Sequence, residues 1–244
     1  MGTDDIAKKR IAASRKAKED RKLAKRSAGN RSLIPKVLIL TEGDSEEKYF
    51  QKLIENMSLP TVFSEKSSCT DSVGIVSEAV KLAKAEERKG NAYTYIFCIF
   101  DLDTVKNKKF LDVISNYKSK ETRIFPIYSF PCIEVFFSLH FEICTKPFHV
   151  TGNKSIGDTV KDYFRQKFDN EYSETNKESI EKLTYEYKRA IYHSTKLIEQ
   201  QVSVDSINPI STVHKLLILL ESIFCKNSSY IFERDIEDFI ESKI

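Results

Sequence analysis

Apolar residues along the chain gather into short runs, and between the runs they recur every three or four positions among polar residues. After "SLIP", the runs "KVLIL" (36–40), "TVF" (61–63), "TYIFCIF" (94–100) and "TRIFPIY" (122–128) are nearly all apolar, the pattern of strands covered on both faces. Between them stand "DSEEKYFQKLIENM", "DSVGIVSEAVKLAKAEERKG" and "VKNKKFLDVISNYKS", each with an apolar stripe at helical spacing. Such alternation predicts an α/β domain over residues 35–130, a parallel sheet flanked by helices.

From "SFPCIEVFFSLHFEI" onward the pattern is mostly helical. "SIGDTVKDYFRQKF", "SIEKLTYEYKRAIYHSTKLIEQQ", "STVHKLLILLESIF" and "RDIEDFIESK" carry apolar residues near helical spacing, several opening with a residue that caps helices. Residues 131–244 are therefore expected to form a helical extension packed on the same domain. Pro131 suits the first turn of a helix and places Glu134 near its start. "NPISTVHKLL" predicts a turn and then a helix capped by Ser211 or Thr212, with His214 on its first turn.

Residues 1–34 differ. "AKKRIAASRKAKEDRKLAKRSAGN" has good helix formers, few apolar residues and a Gly-Asn stop, so it predicts an exposed helix or a disordered arm. Residues 1–36 hold twelve Lys or Arg against four acids, a local +8, which leaves −5 for the remainder of a chain whose overall charge is +3. A basic arm ahead of a mildly acidic body fits contact with nucleic-acid phosphates, through Lys8, Lys9, Arg10, Arg15, Lys16, Arg21, Lys22, Lys25 and Arg26. The alternative is a solvated tail.

The 244 residues, 41% of them hydrophobic, suffice for a sizeable core. No run approaches the roughly 18 apolar residues that span a bilayer, and no secretory leader opens the chain, so a cytoplasmic protein without membrane contact is expected. The five cysteines lack metal-ligand spacing and read as buried free thiols.

Chemistry concentrates at two strand ends. "KVLIL" runs through Thr41 into Glu42-Gly43, and "YIFCIF" ends in "DLD", Asp101 and Asp103. In an open parallel sheet such ends lie on one edge, where ligands bind. Carboxylates delivered there from two strands repel one another, and a Mg²⁺ or Mn²⁺ ion, which prefers hard oxygen ligands, removes the conflict. Glu42, Asp101 and Asp103 are the candidate metal ligands. Gly43 leaves room for a backbone or phosphate to come close. Asp44, Glu46 and Glu47 are further candidates, with no ground in the sequence for choosing among them.

"LILTEGDSEEKYF" and "CIFDLD" resemble the Glu-Gly and Asp-x-Asp motifs of the Toprim fold. "EGDSEEKYF", "FDLD", "FPCIEVFFSLHF" and "NPISTVHKLL", in this order after a Lys/Arg-rich segment, resemble the RloB family of Toprim-like proteins found at bacterial restriction and phage-defence loci, over residues 8 to about 220. The resemblance implies a divalent-metal-dependent endonuclease acting on RNA such as tRNA or on DNA, a toxic effector in anti-phage defence. Glu42 would do acid/base work and the Asp pair would bind metal. Glu134 and His140 become active-site candidates, against a reading as a helix-start glutamate and a hydrogen-bonded core histidine. Implied partners are nucleic acid, a defence protein encoded alongside, such as an ATPase, and further copies of the chain. The competing class is a catalytically silent Toprim-like module that binds nucleic acid or a partner and regulates another enzyme. No Ser-His-Asp set, phosphate-cradling Gly-Lys loop or zinc pair is present to support other chemistries.

Overall fold

The computed structural model describes residues 34–225 and 231–244; the basic segment 1–33, with its expected helix or arm and its phosphate-contacting residues, lies outside them. Residues Pro35–Ile244 form one compact unit.

Five strands, β1 (Val37–Thr41), β2 (Val62–Lys66), β3 (Tyr95–Asp101), β4 (Arg123–Phe130) and β5 (Ile210–Ser211), make a sheet of order β2-β1-β3-β4-β5. The first four are mutually parallel and β5 joins β4 antiparallel. Every residue of β1 is buried, as its unbroken apolar run requires of a central strand. The α/β class expected from the sequence is the one observed.

Alternate side chains of each strand enter two separate cores. Val37, Ile39, Phe97, Ile99 and Ile127 pack on one face against Tyr49, Phe50 and Leu53 of α1 (Asp44–Met57) and Leu216 and Leu220 of α8 (Val213–Phe224). Leu38, Leu40, Ile96, Phe100 and Tyr128 pack on the other against Ile75, Val76 and Ala79 of α2 (Ser72–Arg88), Phe110 of α3 (Lys109–Asn116) and Ile240 of α9 (Glu237–Lys243). Asp71 caps α2 by accepting from the Gly74 amide at 2.9 Å.

The second half departs from its expectations in three places, each for a local reason. The helix foreseen from Pro131 is only α4 (Glu134–Ser138); Pro131 precedes it, and the ring of His140 donates to the Phe136 and Phe137 carbonyls at its end. The long helix foreseen over 179–201 is divided into α6 (Lys177–Leu183) and α7 (Tyr187–Ser203) by a 3₁₀ turn at Thr184–Glu186. There Thr184 bonds back to the Glu181 carbonyl at 2.7 Å and accepts from Asn56 of α1 at 2.9 Å. Ser211 lies in β5 rather than at a helix cap, and the Thr212 hydroxyl, instead of capping α8, accepts from the Tyr128 amide of β4 at 2.9 Å. The helix foreseen from Ser155, α5 (Ile156–Lys167), opens with a reciprocal cap between Ser155 and Asp158. All five cysteines are free; Cys98 and Cys132 are buried as expected, but Cys69 and Cys144 are only partly buried and Cys225, past the end of α8, is exposed.

The last helix is anchored by charge. Lys215 of α8, itself buried, donates to Glu237 at 2.8 and 2.9 Å and to Asp235 at 2.6 Å, and Glu237 has no exposed surface. Removing one member strands the other in a poorly solvated place, whereas replacing both with apolar residues does not. Glu237→Leu is expected to destabilise the protein toward the low end of about 3–5 kcal/mol, because Asp235 still pairs with Lys215. Lys215→Met combined with Glu237→Leu should cost less than Glu237→Leu alone in urea unfolding. A double variant at least as unstable as the single one contradicts this account.

Candidate active site

The carboxyl ends of β1 and β3 are neighbours because Thr41 pairs with Ile99 in parallel register. Glu42, one residue past β1, is therefore carried beside the end of β3, where its Oε2 accepts from the Asp101 amide at 3.3 Å. Asp101 closes β3 and Asp103 follows in a 3₁₀ turn (Leu102–Thr104). Glu134, the first residue of α4, follows the end of β4. These four line one cavity of about 240 Å³ together with Glu46 on one wall and Ser155, Gly157 and Lys161 of the α5 segment on another.

Of the three acids left open after Gly43, the cavity takes Glu46. It is buried, and its Oε2 accepts from the Ser45 hydroxyl at 2.7 Å. Asp44 is exposed and pairs with Lys66 at 2.7 Å, and Glu47 accepts from Gln51 on its own helix. The role of Gly43 differs from the expected one. A Cβ at that position would lie 2.5 Å from Glu46 Oε2, so the group the glycine admits is the Glu46 carboxylate. Glu134 is wholly buried; Tyr172 donates to its Oε1 at 2.8 Å, while its Oε2 has no hydrogen-bond partner. One carboxylate oxygen of Asp101, Oδ1, is likewise buried and unpartnered.

His140 stands apart from this cavity. It lies in the core, its Nδ1 within 3.1–3.2 Å of two carbonyls and its Nε2 2.9 Å from the Tyr49 hydroxyl. Carbonyls only accept, so Nδ1 carries the proton and Nε2 accepts from Tyr49. Burial pushes its pKa down to about 3, and the ring is neutral. The structure thus gives His140 the core role and brings Glu134, not His140, to the acids.

The electrostatics of the cavity are those of crowded carboxyls. Burial raises the pKa of Glu42, partly opposed by the Asp101 amide. Burial also lifts Glu46 to about 7, against the bond from Ser45. Asp101 is pushed well above the ordinary carboxyl range by burial and then by the fields of Glu46, Glu134 and Glu42. Asp103 is raised by burial, with Lys161 pulling the other way.

Among the described residues no three His, Cys, Asp or Glu side chains stand close enough to form a ready metal shell. Mg²⁺ and Mn²⁺ sites do not require one, since Mg²⁺ commonly keeps waters and takes one or two carboxylates with substrate phosphate. Hard oxygen donors, two of them buried without a partner, fit such an ion. One or two of the carboxylates that line the cavity, Asp101, Asp103, Glu134 and Glu42, would hold it together with water and phosphate. Sequence reasoning missed Tyr172 and Lys161, and held Glu46 only as one of three acids it had no ground to choose among. Only Glu46, next to the Glu-Gly motif, carried a local signal.

Residues 37–220, 184 of the 244, match the protein family described as RloB-like protein, and the chain belongs to that family. The match begins after the basic segment, which the resemblance seen in the sequence had included. No curated protein and no solved structure matches the chain.

The raised Glu46 pKa makes a signed prediction. Because the folded state holds this proton more tightly than the unfolded chain, the contribution to stability is complete below the ordinary glutamate value of 4.5 and is lost as pH rises through about 7. His140 and His214, neutral and lowered to about 3 and about 4, slope the opposite way below 6.5, so the reading belongs above that pH. In chelator, the wild type should lose roughly 1 kcal/mol between about pH 6.5 and 8 that Glu46→Gln does not lose. Parallel stability curves for the two proteins would remove Glu46 from the strained set.

Proposed function

We propose that the protein is a divalent-metal-dependent endonuclease that hydrolyses phosphodiester bonds in nucleic acid. The observation that carries this reading is the cavity in which Glu42, Glu46, Asp101, Asp103 and Glu134 meet with two buried oxygens unpartnered. Membership in the RloB-like family supports it, as does the basic segment that precedes the matched region.

In this reading one or two of the cavity carboxylates, from Asp101, Asp103, Glu134 and Glu42, would hold Mg²⁺ or Mn²⁺ with water and substrate phosphate completing its shell. When bound, the ion supplies positive charge where the phosphodiester accumulates negative charge. Glu42, fixed by the Asp101 amide, takes a proton from the attacking water or returns one to the departing oxygen. Tyr172 orients Glu134 by its hydrogen bond to one oxygen and leaves the other facing the cavity. The Lys and Arg residues of 1–31 add affinity for the polymer without reading sequence. The substrate is RNA such as tRNA, or DNA, and the biological role that the family's restriction and phage-defence loci suggest is a toxic effector, acting with a defence protein encoded alongside.

The test is incubation of purified full-length protein with plasmid, tRNA and total RNA in Mg²⁺, Mn²⁺ or chelator. Strand scission in metal alone is expected, and Asp101→Ala or Asp103→Ala should abolish both scission and toxicity on expression. Glu42→Gln should lower turnover by about 10² to 10⁴-fold with metal demand little changed. Intact polymer in every metal, with affinity retained in chelator, would replace the enzyme with a silent binding module.

Deleting residues 1–31 should weaken nucleic-acid binding and flatten its dependence on salt, because several phosphate contacts and their released counterions are lost together. An unchanged salt slope would make the segment a solvated tail.

A further inference from the structure

The acidic cavity poses a difficulty for any polyanion that enters it: its walls repel phosphate. Among the described side chains lining it, Lys161 is the one cation. It stands on α5, one turn after Gly157, so the two residues share the helix face that borders the carboxylates. Gly157 allows a close approach there, since a Cβ would lie 2.9 Å from Asp103 Oδ2. Lys161 thus lines the same cavity as the Asp103 and Glu134 carboxylates, where its charge works against the burial that raises Asp103.

Its ion-pair partner is Glu174, which is half-exposed, while the Lys161 side chain is 27% exposed. An ion pair this open to solvent contributes about 0–1 kcal/mol and can be exchanged for a stronger one. A phosphate oxygen, with its charge-assisted hydrogen bond, is such a partner. Glu174 has a second tie that keeps it in place when Lys161 leaves, because its backbone carbonyl accepts from Lys48 at 2.9 Å. The wholly buried, unpartnered Oε2 of Glu134 in the same cavity marks the interior as built for charge that the protein alone does not supply.

We propose that Lys161 is the substrate-phosphate contact of this cavity, exchanging Glu174 for an oxygen of the phosphodiester and thereby offsetting the repulsion of the acidic walls. The inference rests on the nuclease reading for its substrate class. The substrate is bound between opposite charges: Lys161 on the α5 side, the carboxylates and their cation on the sheet side. Lys161 is therefore a binding and positioning group, and the proton transfers stay with the carboxylates.

Two measurements on the full-length chain separate this from a structural ion pair. The first is fluorescence anisotropy of a fluorescein-labelled hexanucleotide in Ca²⁺, where the contribution of residues 1–31 is common to all variants and cancels in their ratio. Lys161→Met should weaken binding by about 10- to 100-fold, the range expected for a hydrogen bond between charged groups. Lys161→Arg should recover part of it, and Glu174→Gln should leave it unchanged or tighter. The second is cleavage of the same oligonucleotide in Mn²⁺, in which Lys161→Met should raise KM more than it lowers kcat. Equal losses of binding and thermal stability in Lys161→Met and Glu174→Gln would assign Lys161 to the fold, and unchanged binding in Lys161→Met would overturn the proposal outright. Absence of cleavage by the wild type would overturn the nuclease reading, while the anisotropy series would still decide the phosphate contact.

Discussion

Repulsion among five carboxyl groups at one edge of a parallel sheet is the constraint to which the rest of the site answers. The sheet itself creates it. Parallel pairing of β1 with β3, Thr41 opposite Ile99, obliges the residues that follow each strand to emerge side by side, so Glu42 and Asp101 meet whatever their charges. Burial of Glu46 and Glu134, and partial burial of Glu42 and Asp101, then limits the solvent that would screen them, while Asp103 stays exposed. The structure meets this with a different device for each group. Glu42 accepts a backbone amide, Glu46 a serine hydroxyl, Glu134 a tyrosine hydroxyl, and Asp103 feels the ammonium of Lys161. What remains unmatched is one oxygen each on Asp101 and Glu134.

Three of these four devices lie in or act through residues beyond the parallel strands. Tyr172, between α5 and α6, is almost wholly buried against Glu134, and Lys161 belongs to α5. The segment 131–244 is thus more than a cover for one face of the sheet. It contributes β5 to the sheet, with Ser211 and Thr212 bonded to Ser129 and Tyr128 of β4, which fixes the strand that leads into Pro131 and Glu134. A variant that loosens β5 therefore acts on the site through the position of Glu134, although no residue of β5 lines the cavity.

The parts of the molecule legible in the sequence are those specified by neighbours in the chain. An apolar run such as "YIFCIF" signals a doubly covered strand by itself, and the carboxylates at its end follow at once. Glu42, Asp101, Asp103 and the position of Glu134 at a helix start were visible for this reason. His140 was ambiguous because its neighbours are equally apolar in either role, and what decides it is the hydroxyl of Tyr49, ninety-one residues away, together with two carbonyls of its own helix end. β5 left no signature because two residues are too few to show a period and their strand conformation is imposed by β4. Lys161 and Tyr172 were hidden by distance along the chain: each is unremarkable among the lysines and tyrosines of a polar helical region until the fold brings it to Glu134 and Asp103.

The glycines connect these two levels. Gly43 precedes α1 with an extended backbone that any residue adopts, so its backbone angles do not demand glycine. The demand comes from the Glu46 oxygen 2.5 Å from where a Cβ would stand. Gly157, in the first turn of α5, faces Asp103 in the same way at 2.9 Å. Two helix starts thus each lack a side chain where a cavity carboxylate approaches. A helix N-terminus carries partial positive charge and free amides, and its effect falls away within a turn, so closeness is what gives it value. A side chain at either place would displace the carboxylate oxygen that now stands there. The glycine of the Glu-Gly motif in this way makes room for the Glu46 carboxylate in a cavity that Glu42, Asp101, Asp103 and Glu134 also line.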